Sequence, residues 1–391
     1  MKVTQLHELI NSVTSEVLGG STIVNDDLSN IVDIGKEIIN SENVDNYVKK
    51  LVNHIGKVIF VNRLYAGGAP SVLMTSWEFG SVLEKVTADL PTANENKSWD
   101  LQDGENYSPD VFYQPKVSAK FFNSKVTFEV PLSFTERQVK ESFSSAEQLN
   151  GFVTMLTVAV ENSLTVKIDS LIMRTINNMI VETMVNDLDS GKDGELEKLA
   201  NGSIRAVNLL KMFNSGRTSA NQTTVEKALN NSEFIRFATY QISLYSDRMS
   251  RISKLFNVGG KEKFTPKDLQ HIVLLSDFAK ASEMYLLADT QNAEKLVLPK
   301  HETVPFWQGS GETYDFNDVS RIKAKTASGV TADVKGILGI IFDREAVGVS
   351  NLDKRVTTNY NPKAEFYTNF YKVDVGFYND LNENFVAFYI A

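Results

Sequence analysis

Cysteine is absent from the sequence, and its absence excludes several kinds of chemistry. Without a thiol there is no disulfide, no thiolate nucleophile and no thiolate metal site. Long apolar runs are absent too, so the sequence predicts no membrane-spanning helix. The first residues, MKVTQLHELINSV, lack the continuous apolar segment of a secretory signal, and we therefore expect none.

Positive charge is scarce relative to negative charge. The 391 residues include 40 Lys and Arg against 49 Asp and Glu, which gives a formal net charge of −9. An acidic chain of this kind does not favour binding of nucleic acid through a broad basic face. Its length is sufficient for two or three domains around a sizeable core.

Known catalytic motifs are missing as well. Neither a G-x-S-x-G elbow nor an H-E-x-x-H zinc motif occurs, and no Gly-Lys pair is followed by Ser or Thr, which excludes a P-loop. An acidic pair such as Asp26-Asp27 favours a helix cap over acid–base chemistry. The sequence therefore predicts no catalytic, cofactor-binding or metal site. The histidines are isolated from one another: His7, His54, His271 and His301.

The dominant feature that is present is a long amphipathic stretch from Ser144 to about Leu188. Its apolar residues recur at steps of three and four, which places them on one side of a helix. At 1.5 Å per residue, a single helix would be roughly 65 Å long. A small core cannot cover that length, so we predict a spine helix over residues 145–188 along which sheets and loops pack. The apolar positions are Leu149, Val153, Leu156, Val160, Leu164, Ile168, Leu171, Ile172, Ile176, Met179, Ile180 and Met184.

Local signals mark both ends of this helix. Ser144 with Glu147 matches the capping box at a helix start, and Ser190-Gly191 terminates the pattern. Two alternatives stay open. One is a coiled-coil rod, which the lack of a strict heptad repeat disfavours. The other is a pair of helices broken near Asn162-Ser163.

Residues 64–130, ahead of the spine, are rich in Gly, Pro and polar clusters. Residues 117–122 and 125–130 predict two strands joined by a turn at Asn123-Ser124, and residues 77–86 predict a short helix. The apolar residues are too dispersed to form a core, and a two-stranded ribbon is marginal alone in water. We therefore expect the stretch to project and to lie on another surface. The alternative is a decorated sheet domain that packs internally.

Beyond the spine, helix and strand patterns alternate, which indicates an α/β domain. Within it, Phe306 and Trp307 lie in a loop, where core packing or a subunit contact is favoured over stacking on a base or sugar. The predicted helices are 203–213, 223–230, 232–256 and 276–290, and the predicted buried strands are 271–275 and 335–342.

The two ends of the chain complete the pattern. Residues 1–55 predict short helices, followed by a strand at 57–63, and an ordinary helical subdomain is the alternative to an arm. At the other end, the aromatic strands 365–378 and 384–390 predict an antiparallel hairpin around the turn 379–384. Because aromatic residues fill both faces, we expect this hairpin to pack against the spine.

This order of parts resembles the major capsid proteins of tailed bacteriophages with the Hong Kong 97-type fold. The similarity is to small podoviruses and related phages of Gram-positive bacteria, and it covers roughly residues 40–391. The segments that carry it are GKVIFVNRLY (56–65), LMTSWEFGSVLEKV (73–86), NYSPDVFYQPKVSAKF (106–121), ADTQNAEKLVLPKHETVPFWQG (288–309), GIIFDREAVGV (339–349) and NPKAEFYTNFYKVDVGFYNDL (361–381).

The resemblance implies an α+β fold with named parts. These are an N-terminal arm over 1–60, an extended β-ribbon loop over 61–135, a peripheral domain over 136–199 and 346–391 that includes the spine, and an axial domain over 200–345. It also implies a structural, non-enzymatic protein. Such a protein self-assembles as hexamers and pentamers into an icosahedral shell around a double-stranded DNA genome.

The resemblance further implies partners and a location. We expect a scaffolding protein, because residues 1–40 are short for the cleaved scaffold segment of some relatives. We also expect a portal protein at one vertex, a decoration or head-fibre protein, and packaged DNA bound without sequence specificity. No cofactor and no membrane contact are expected. The protein would belong to the virion and be assembled in the host bacterial cytoplasm.

Exposed aromatic residues are the candidate inter-subunit contacts, since broad contacts between subunits use aromatics that a monomer does not need. Two other function classes stay open. One is a different self-assembling phage protein, such as a tail or sheath component. The other is a carboxylate-dependent hydrolase that uses a tryptophan to hold a sugar. The contact candidates are Trp77, Trp99, Phe112, Tyr113, Phe306 and Trp307.

Overall fold

One continuous helix, α1 (Ala146–Leu188), forms the spine of the fold and is 43 residues long. From Val160 onward, every apolar residue that the helical spacing marks for burial is at most 2% exposed. The spine prediction is confirmed, and the alternative of two helices broken near Asn162-Ser163 is wrong. The computed structural model describes residues 11–14, 16, 68–72, 83–107, 110, 112–135, 137, 146–188, 199–287, 298–308 and 315–391.

Strands and shorter helices surround the spine, which confirms the predicted α+β class. The described part of the chain has twelve strands: β1 (Leu83–Ala88), β2 (Val117–Phe122), β3 (Lys125–Thr135), β4 (Ala206–Asn208), β5 (Gln270–Leu275), β6 (Glu302–Val304), β7 (Ile322–Lys325), β8 (Thr331–Val334), β9 (Ile337–Asp343), β10 (Val347–Asn361), β11 (Phe366–Asn379) and β12 (Phe385–Tyr389). The shorter helices after the spine are α2 (Leu209–Asn214), α3 (Val225–Ala228), α4 (Ser232–Met249), α5 (Ser276–Leu287) and α6 (Phe316–Val319).

Strands β3, β10 and β11 form an antiparallel sheet with β11 in the middle. On β11, Tyr367, Tyr371 and Val373 are buried in the same core as the spine. The opposite face is half-buried and mixes charged residues with two phenylalanines, and Lys372 of β11 is bound there to Glu129 of β3 at 3.1 Å. This alternation is typical of an antiparallel sheet with one covered face. The spine is therefore packed against a sheet and is not an isolated rod.

The second sheet has five strands in the order β4-β12-β9-β5-β6. Every residue of β9 and β12 is buried. Ile340 and Phe342 join the core beneath the spine, whereas Leu338 and Ile341 join a second core with Phe234 of α4. A sheet covered on both faces needs a nearly continuous apolar sequence. This explains why 335–342 could be recognised as a buried strand. The predicted strand at 271–275 and helix at 276–290 are likewise confirmed as β5 and α5.

The predicted C-terminal hairpin is wrong, although both of its strands exist. β11 pairs with β3 and β10, whereas β12 pairs with β9 and β4 in the other sheet. The turn at 380–384 crosses between sheets and is fixed by backbone hydrogen bonds to other segments. The Asp380 amide donates to the Ala346 carbonyl at 2.8 Å, and the Phe385 amide donates to the Phe256 carbonyl at 2.8 Å. Both strands still contribute to the spine core, as expected.

The predicted pairing of the strands at 117–122 and 125–130 is also wrong, because each of them pairs with a strand from elsewhere in the chain. β2 pairs with β1, and β3 pairs with β11, so Asn123-Ser124 passes between two sheets. The predicted helix at 77–86 is wrong from Leu83 onward, where the chain forms strand β1. The residues of β1 alternate between half-buried and exposed, which is the period of a strand. Residues 77–82 lie outside the described residues. Strand β10 was missed by the sequence prediction.

Several predicted helices are shorter than expected. Residues 206–208 form β4 ahead of α2, only Val225–Ala228 is helical in α3, and α4 ends at Met249. α4 begins where predicted, because the Asn231 side chain accepts hydrogen bonds from the amides of Glu233 and Phe234. Of the predicted arm, the structure describes helical residues 11–14 and 16, and the strand at 57–63 lies outside the described residues. No helix in the described part is both long and apolar enough to cross a membrane.

We expect Ile172→Asp to prevent folding, because Ile172 is fully buried at the middle of the spine and an unpaired charge there costs several kcal/mol. The control is Val166→Asp on the same helix, at a side chain that is 65% exposed. It should change the free energy of unfolding by only about 0.5 kcal/mol. Soluble yield and thermal unfolding by circular dichroism measure both. Equal melting of the two variants would contradict the spine packing.

Candidate assembly surface

Exposed apolar side chains are concentrated between residues 86 and 121. Of the nineteen large hydrophobic residues exposed in the described part of the chain, nine fall in this short segment. Exposed apolar surface at this density marks an interaction site and not a folding core. The nine are Val86, Leu90, Trp99, Leu101, Tyr107, Phe112, Tyr113, Val117 and Phe121.

The segment forms a two-stranded ribbon (residues 83–122). β1 and β2 run antiparallel, with Leu83 opposite Phe122 and Ala88 opposite Val117. The connection between them, residues 89–116, is the ribbon tip, and every tip residue whose side chain the structure describes is exposed. The tip therefore has no core of its own. This exposure is what a projecting stretch requires, whereas residues 125–130 pair with β11 in the body; the projection of the extended loop stays a prediction.

A cluster of charges holds the ribbon to the rest of the molecule. Lys85 and Lys120 lie directly opposite each other on β1 and β2. Their ammonium groups both contact the carboxylate of Asp380, at 3.2 and 3.0 Å, and Lys85 also lies 2.6 Å from Glu383. Like charges opposite each other destabilise a strand pair. The two carboxylates, from the turn between β11 and β12, remove that repulsion. We call these four residues the root clasp.

Burial makes the root clasp sensitive to the loss of any member. The side chains of Asp380 and Glu383 are only 1% and 5% exposed. Burial alone would lower the pKa of Lys85, but the hydrogen bond to Glu383 and the nearby carboxylates outweigh it and raise the pKa. Burial would likewise raise the pKa of Asp380, but the Asn382 amide and the two lysines hold it below its ordinary value. Lys85 and Asp380 are therefore both ionised at neutral pH.

Aromatic packing and one further ion pair extend this attachment along the ribbon. The ring of Phe122 lies 4.7 Å from that of Tyr378, with Leu83 packed against them. Burial raises the pKa of Tyr378 to about 12, so its hydroxyl stays neutral. Past the end of β1, Asp89 binds Lys261 at 2.8 Å. The ribbon strands thus lie along the body of the molecule, and the tip continues beyond them.

The structure brings together some of the predicted contact residues and separates others. Trp99, Phe112 and Tyr113 all lie in the ribbon tip and are 99%, 85% and 79% exposed. Their role between subunits remains a prediction. Phe306 is half-buried against the spine core, and Trp77 lies outside the described residues.

Trp307 is a core residue. It is 1% exposed, its indole N–H donates to the Ile337 carbonyl at 3.0 Å, and its own carbonyl accepts from Asn177 of the spine at 2.7 Å. This leaves no surface for a neighbouring subunit or a sugar. Core packing therefore explains Trp307, and the prediction of an inter-subunit contact is wrong for this residue.

A polar cleft of about 780 Å³ holds a serine, a histidine and a carboxylate, and its described lining contains no tryptophan. Ser71, His271 and Glu302 meet there. The Ser71 hydroxyl and amide donate to the two oxygens of the Glu302 carboxylate, and His271 Nε2 lies 3.2 Å from the oxygen that accepts from the amide. A Ser–His nucleophile needs the serine hydroxyl bonded to the imidazole, whereas here the hydroxyl is bonded to Glu302. The arrangement holds the loop 68–72 against β6. Among the described residues, no group of three or more His, Asp and Glu side chains is placed to hold a metal ion.

The clasp residues were missed by sequence reasoning. Lys85 and Lys120 look like ordinary solvated charges, and Asp380 and Glu383 look like turn residues. The one available signal is the alternation of Leu83, Lys85 and Thr87, which places a lysine on the same face as an apolar residue. The pairing of β1 with β2, which brings the two lysines together, could not be read from the chain.

Comparison with known families gives one match along almost the whole chain. The family model described as Phi29-like phage major capsid protein matches residues 9–389. This range includes the ribbon, the spine and both sheets. No curated protein matches the chain.

Solved structures of phage capsids are similar at low sequence identity. The capsid of Staphylococcus phage Andhra gives a TM-score of 0.48 at 9% identity, covering 84% of this chain and 86% of that chain. The capsid of Cyanophage P-SCSP1u gives 0.44 at 11% identity, with 85% and 92% covered. A chain from the head-fibre and inner-core structure of bacteriophage P68 gives 0.46 at 10% identity, with 84% and 87% covered. The assignment to a family rests on the match of the family model and not on these structural similarities.

Asp380→Asn should lower the free energy of unfolding by about 3 kcal/mol, because it leaves two lysines facing each other without their shared carboxylate. The folded pKa of Asp380 lies below its ordinary 3.8. Its contribution is therefore present in full above that pH and is lost only as the pH falls through the folded value. The deficit of the variant should stay constant across neutral and mildly acidic pH.

Urea unfolding at several pH values measures this deficit. The matched control is Glu283→Gln, which removes a carboxylate from the exposed pair that Glu283 forms with Lys280 at 2.7 Å. An exposed pair contributes at most about 0.5 kcal/mol. Similar effects of the two substitutions would show that the root clasp is no stronger than a surface ion pair.

Proposed function

The chain belongs to the family of Phi29-like phage major capsid proteins, and we propose that it assembles as hexamers and pentamers into an icosahedral shell around the double-stranded DNA of a phage. It is a major capsid protein, a structural component of the virion that forms the shell. The resemblance read from the sequence is confirmed, and with it the Hong Kong 97-type fold at the level of class. The family match over residues 9–389 carries this assignment.

The exposed ribbon tip supports the proposed mode of assembly. Trp99, Phe112 and Tyr113 present large aromatic surfaces to solvent while the ribbon strands are tied to the body. Aromatic anchors on a preorganised element are typical of protein interfaces. A neighbouring copy that covers them would bury this surface. The three residues are therefore the inter-subunit contacts that we propose.

We propose the domain division of the expected capsid layout, with two boundaries changed. The arm is assigned to 1–60, the peripheral domain to 136–199 with 346–391, and the axial domain to 200–345. The extended loop, expected over 61–135, projects only as the ribbon, because β3 pairs with β11. β12, expected with the peripheral strands, pairs with β9 of the axial region.

The remaining partners follow from what a shell requires. Self-assembly needs a scaffolding protein to set curvature and a portal protein at one vertex, and a decoration or head-fibre protein would bind outside. An acidic chain encloses DNA without sequence-specific binding, since like charges keep the wall from adhering to it. Assembly in the host bacterial cytoplasm is in keeping with the absence of cysteine.

Neither alternative function is favoured. The family match is to a capsid protein and not to a tail or sheath component. For the hydrolase alternative, Trp307 is buried and cannot hold a sugar, and the capsid family match supports our proposal that the protein is structural and not an enzyme.

Replacement of residues 90–115 by a short Gly/Ser linker should abolish particles without unfolding the subunit. Ala88 pairs with Val117, so the new ends are adjacent, and loop closure costs little extra free energy. The expected result is a soluble subunit with an unchanged cooperative melt and no shells. Sedimentation and electron microscopy measure this after expression with the neighbouring phage assembly genes, where the wild type should form closed particles.

A matched variant keeps the length of the tip: Trp99→Ser with Phe112→Ser and Tyr113→Ser. It should lose particles as the linker variant does, because it removes only exposed aromatic surface. Normal shells from both variants would contradict the proposed role of the tip. A wild-type chain that remains monomeric under these conditions would contradict the proposed function itself.

A further inference from the structure

A short hairpin that packs on the spine carries a concentration of positive charge. Residues 321–335, which include β7 and β8 and which we call the basic hairpin, contain four cations and one acidic residue in a chain whose net charge is −9. A basic patch of this kind raises the local concentration of an anionic partner. The charged residues are Arg321, Lys323, Lys325, Lys335 and Asp333.

The pairing of β7 with β8 places polar side chains together on one face of the basic hairpin. Lys323 lies opposite Asp333, Lys325 lies opposite Thr331, and all four are exposed. The alternate residues of both strands point the other way. Those that join the core of the spine are Ile322, Ala324, Ala332 and Val334. The hairpin is therefore apolar beneath and cationic outside.

The lysines of the basic hairpin have no counter-ion within the described part of the chain. The single carboxylate, that of Asp333, is bound by Arg321, whose Nε donates to its Oδ1 at 2.8 Å. This hydrogen bond, with the nearby Lys323 and Lys335, holds the pKa of Asp333 below its ordinary value. Because Arg321 already neutralises Asp333, the charges of Lys323, Lys325 and Lys335 are in excess.

Hydrogen bonds hold the basic hairpin in one shape. The Ala327 amide in its turn donates to the carboxylate of Glu182 on the spine. The side chain of Gln308 accepts from the Lys323 amide at 2.5 Å and donates to the Lys323 carbonyl at 3.0 Å. Gly329 closes the turn at a φ of +90°, which a residue with a side chain rarely adopts. A rigid surface of this kind loses little entropy on binding.

The basic hairpin lacks the apolar surface of a protein interface. None of the nineteen exposed large hydrophobic residues in the described part of the chain falls within 321–335. Protein interfaces bury an apolar, aromatic centre, whereas contacts to a nucleic-acid backbone come from Lys, Arg, Ser and Thr side chains. Exposed lysines beside the exposed Thr331 fit the second kind of partner.

We propose that the basic hairpin binds the phosphate backbone of the packaged double-stranded DNA, so that the face of the subunit that carries β7 and β8 is the inner face of the shell. This inference rests on the proposed function and identifies the surface that meets the genome. The acidic remainder of the chain is repelled by DNA, which confines the contact to this hairpin. Each copy neutralises about three phosphates, which is a weak contact that every copy in the shell repeats.

Binding of a labelled DNA duplex to the full-length, unassembled subunit tests the contact by fluorescence anisotropy. Lys323→Gln with Lys325→Gln and Lys335→Gln should lower the affinity at low salt more than about tenfold. The slope of log affinity against log salt concentration should fall in magnitude by about 3, since three phosphate contacts are lost. Duplexes of unrelated sequence should bind alike, because phosphate contacts carry no sequence information.

A matched control removes three exposed cations from other elements: Lys211→Gln with Lys227→Gln and Arg251→Gln. Both triple variants have the same net charge and alter only exposed side chains, so both should melt as the wild type does. The control should keep the salt slope of the wild type. Equal losses in the two variants would show a general effect of net charge and contradict a site on the hairpin.

Acetylation of lysines tests the contact in the assembled shell, by comparing free subunits, empty particles and DNA-filled particles. Lys323, Lys325 and Lys335 should lose reactivity only in the filled particles, whereas Lys211 and Lys227 should react alike in empty and filled particles. Protection of the three hairpin lysines that is already complete in empty particles would show a protein contact and overturn the inference.

The outcomes separate the inference from the proposed function. If particles fill with DNA while the three hairpin lysines stay reactive, the inner-face assignment is wrong and the shell function stands. If the wild-type chain forms no particles with its assembly partners, the proposed function fails. The duplex measurement on the free subunit then still decides whether the hairpin binds phosphate.

Discussion

Burial of a 43-residue helix, on most of its circumference from Leu171 to Leu188, is the constraint on which the rest of this structure depends. No single small core covers such a length, so the spine is packed against two sheets that meet in one continuous apolar cluster. The five-stranded sheet is then covered on its far side by α2, α4 and α5. The result is a set of layers around one helix, with the outer face of the three-stranded sheet left partly exposed.

The ribbon is placed by a different interaction, the buried ions of the root clasp. A buried ion pair contributes little net stability relative to an apolar pair, but it tolerates few geometries. The ammonium groups of Lys85 and Lys120 reach their carboxylate partners only when β1 and β2 lie against the turn that carries Asp380 and Glu383. The charges therefore fix the direction in which the exposed tip leaves the body. A preorganised tip reduces the entropy lost when copies associate.

Sequence reasoning succeeded where a local pattern determines the structure. The period of the spine, the apolar runs of β5 and β9, and the dispersed aromatics of the tip each report burial or exposure directly. It failed where the structure depends on pairing with a segment that is distant in the sequence. The strands around Asn123-Ser124 and around residues 380–384 look like hairpins, yet each link crosses between sheets. For Trp307, core packing and a subunit contact both stayed open, because the carbonyl that accepts its N–H, that of Ile337, lies thirty residues away.

The central claim is that the ribbon tip is uncovered in the free subunit and covered by a neighbour in the shell. Hydrogen exchange of the backbone amides of residues 89–116, compared between unassembled subunits and particles, tests it most directly. The account predicts fast exchange in the free subunit and strong protection in the particle, with little change along the spine, which is already buried. Equally fast exchange of the tip amides in both states would contradict it.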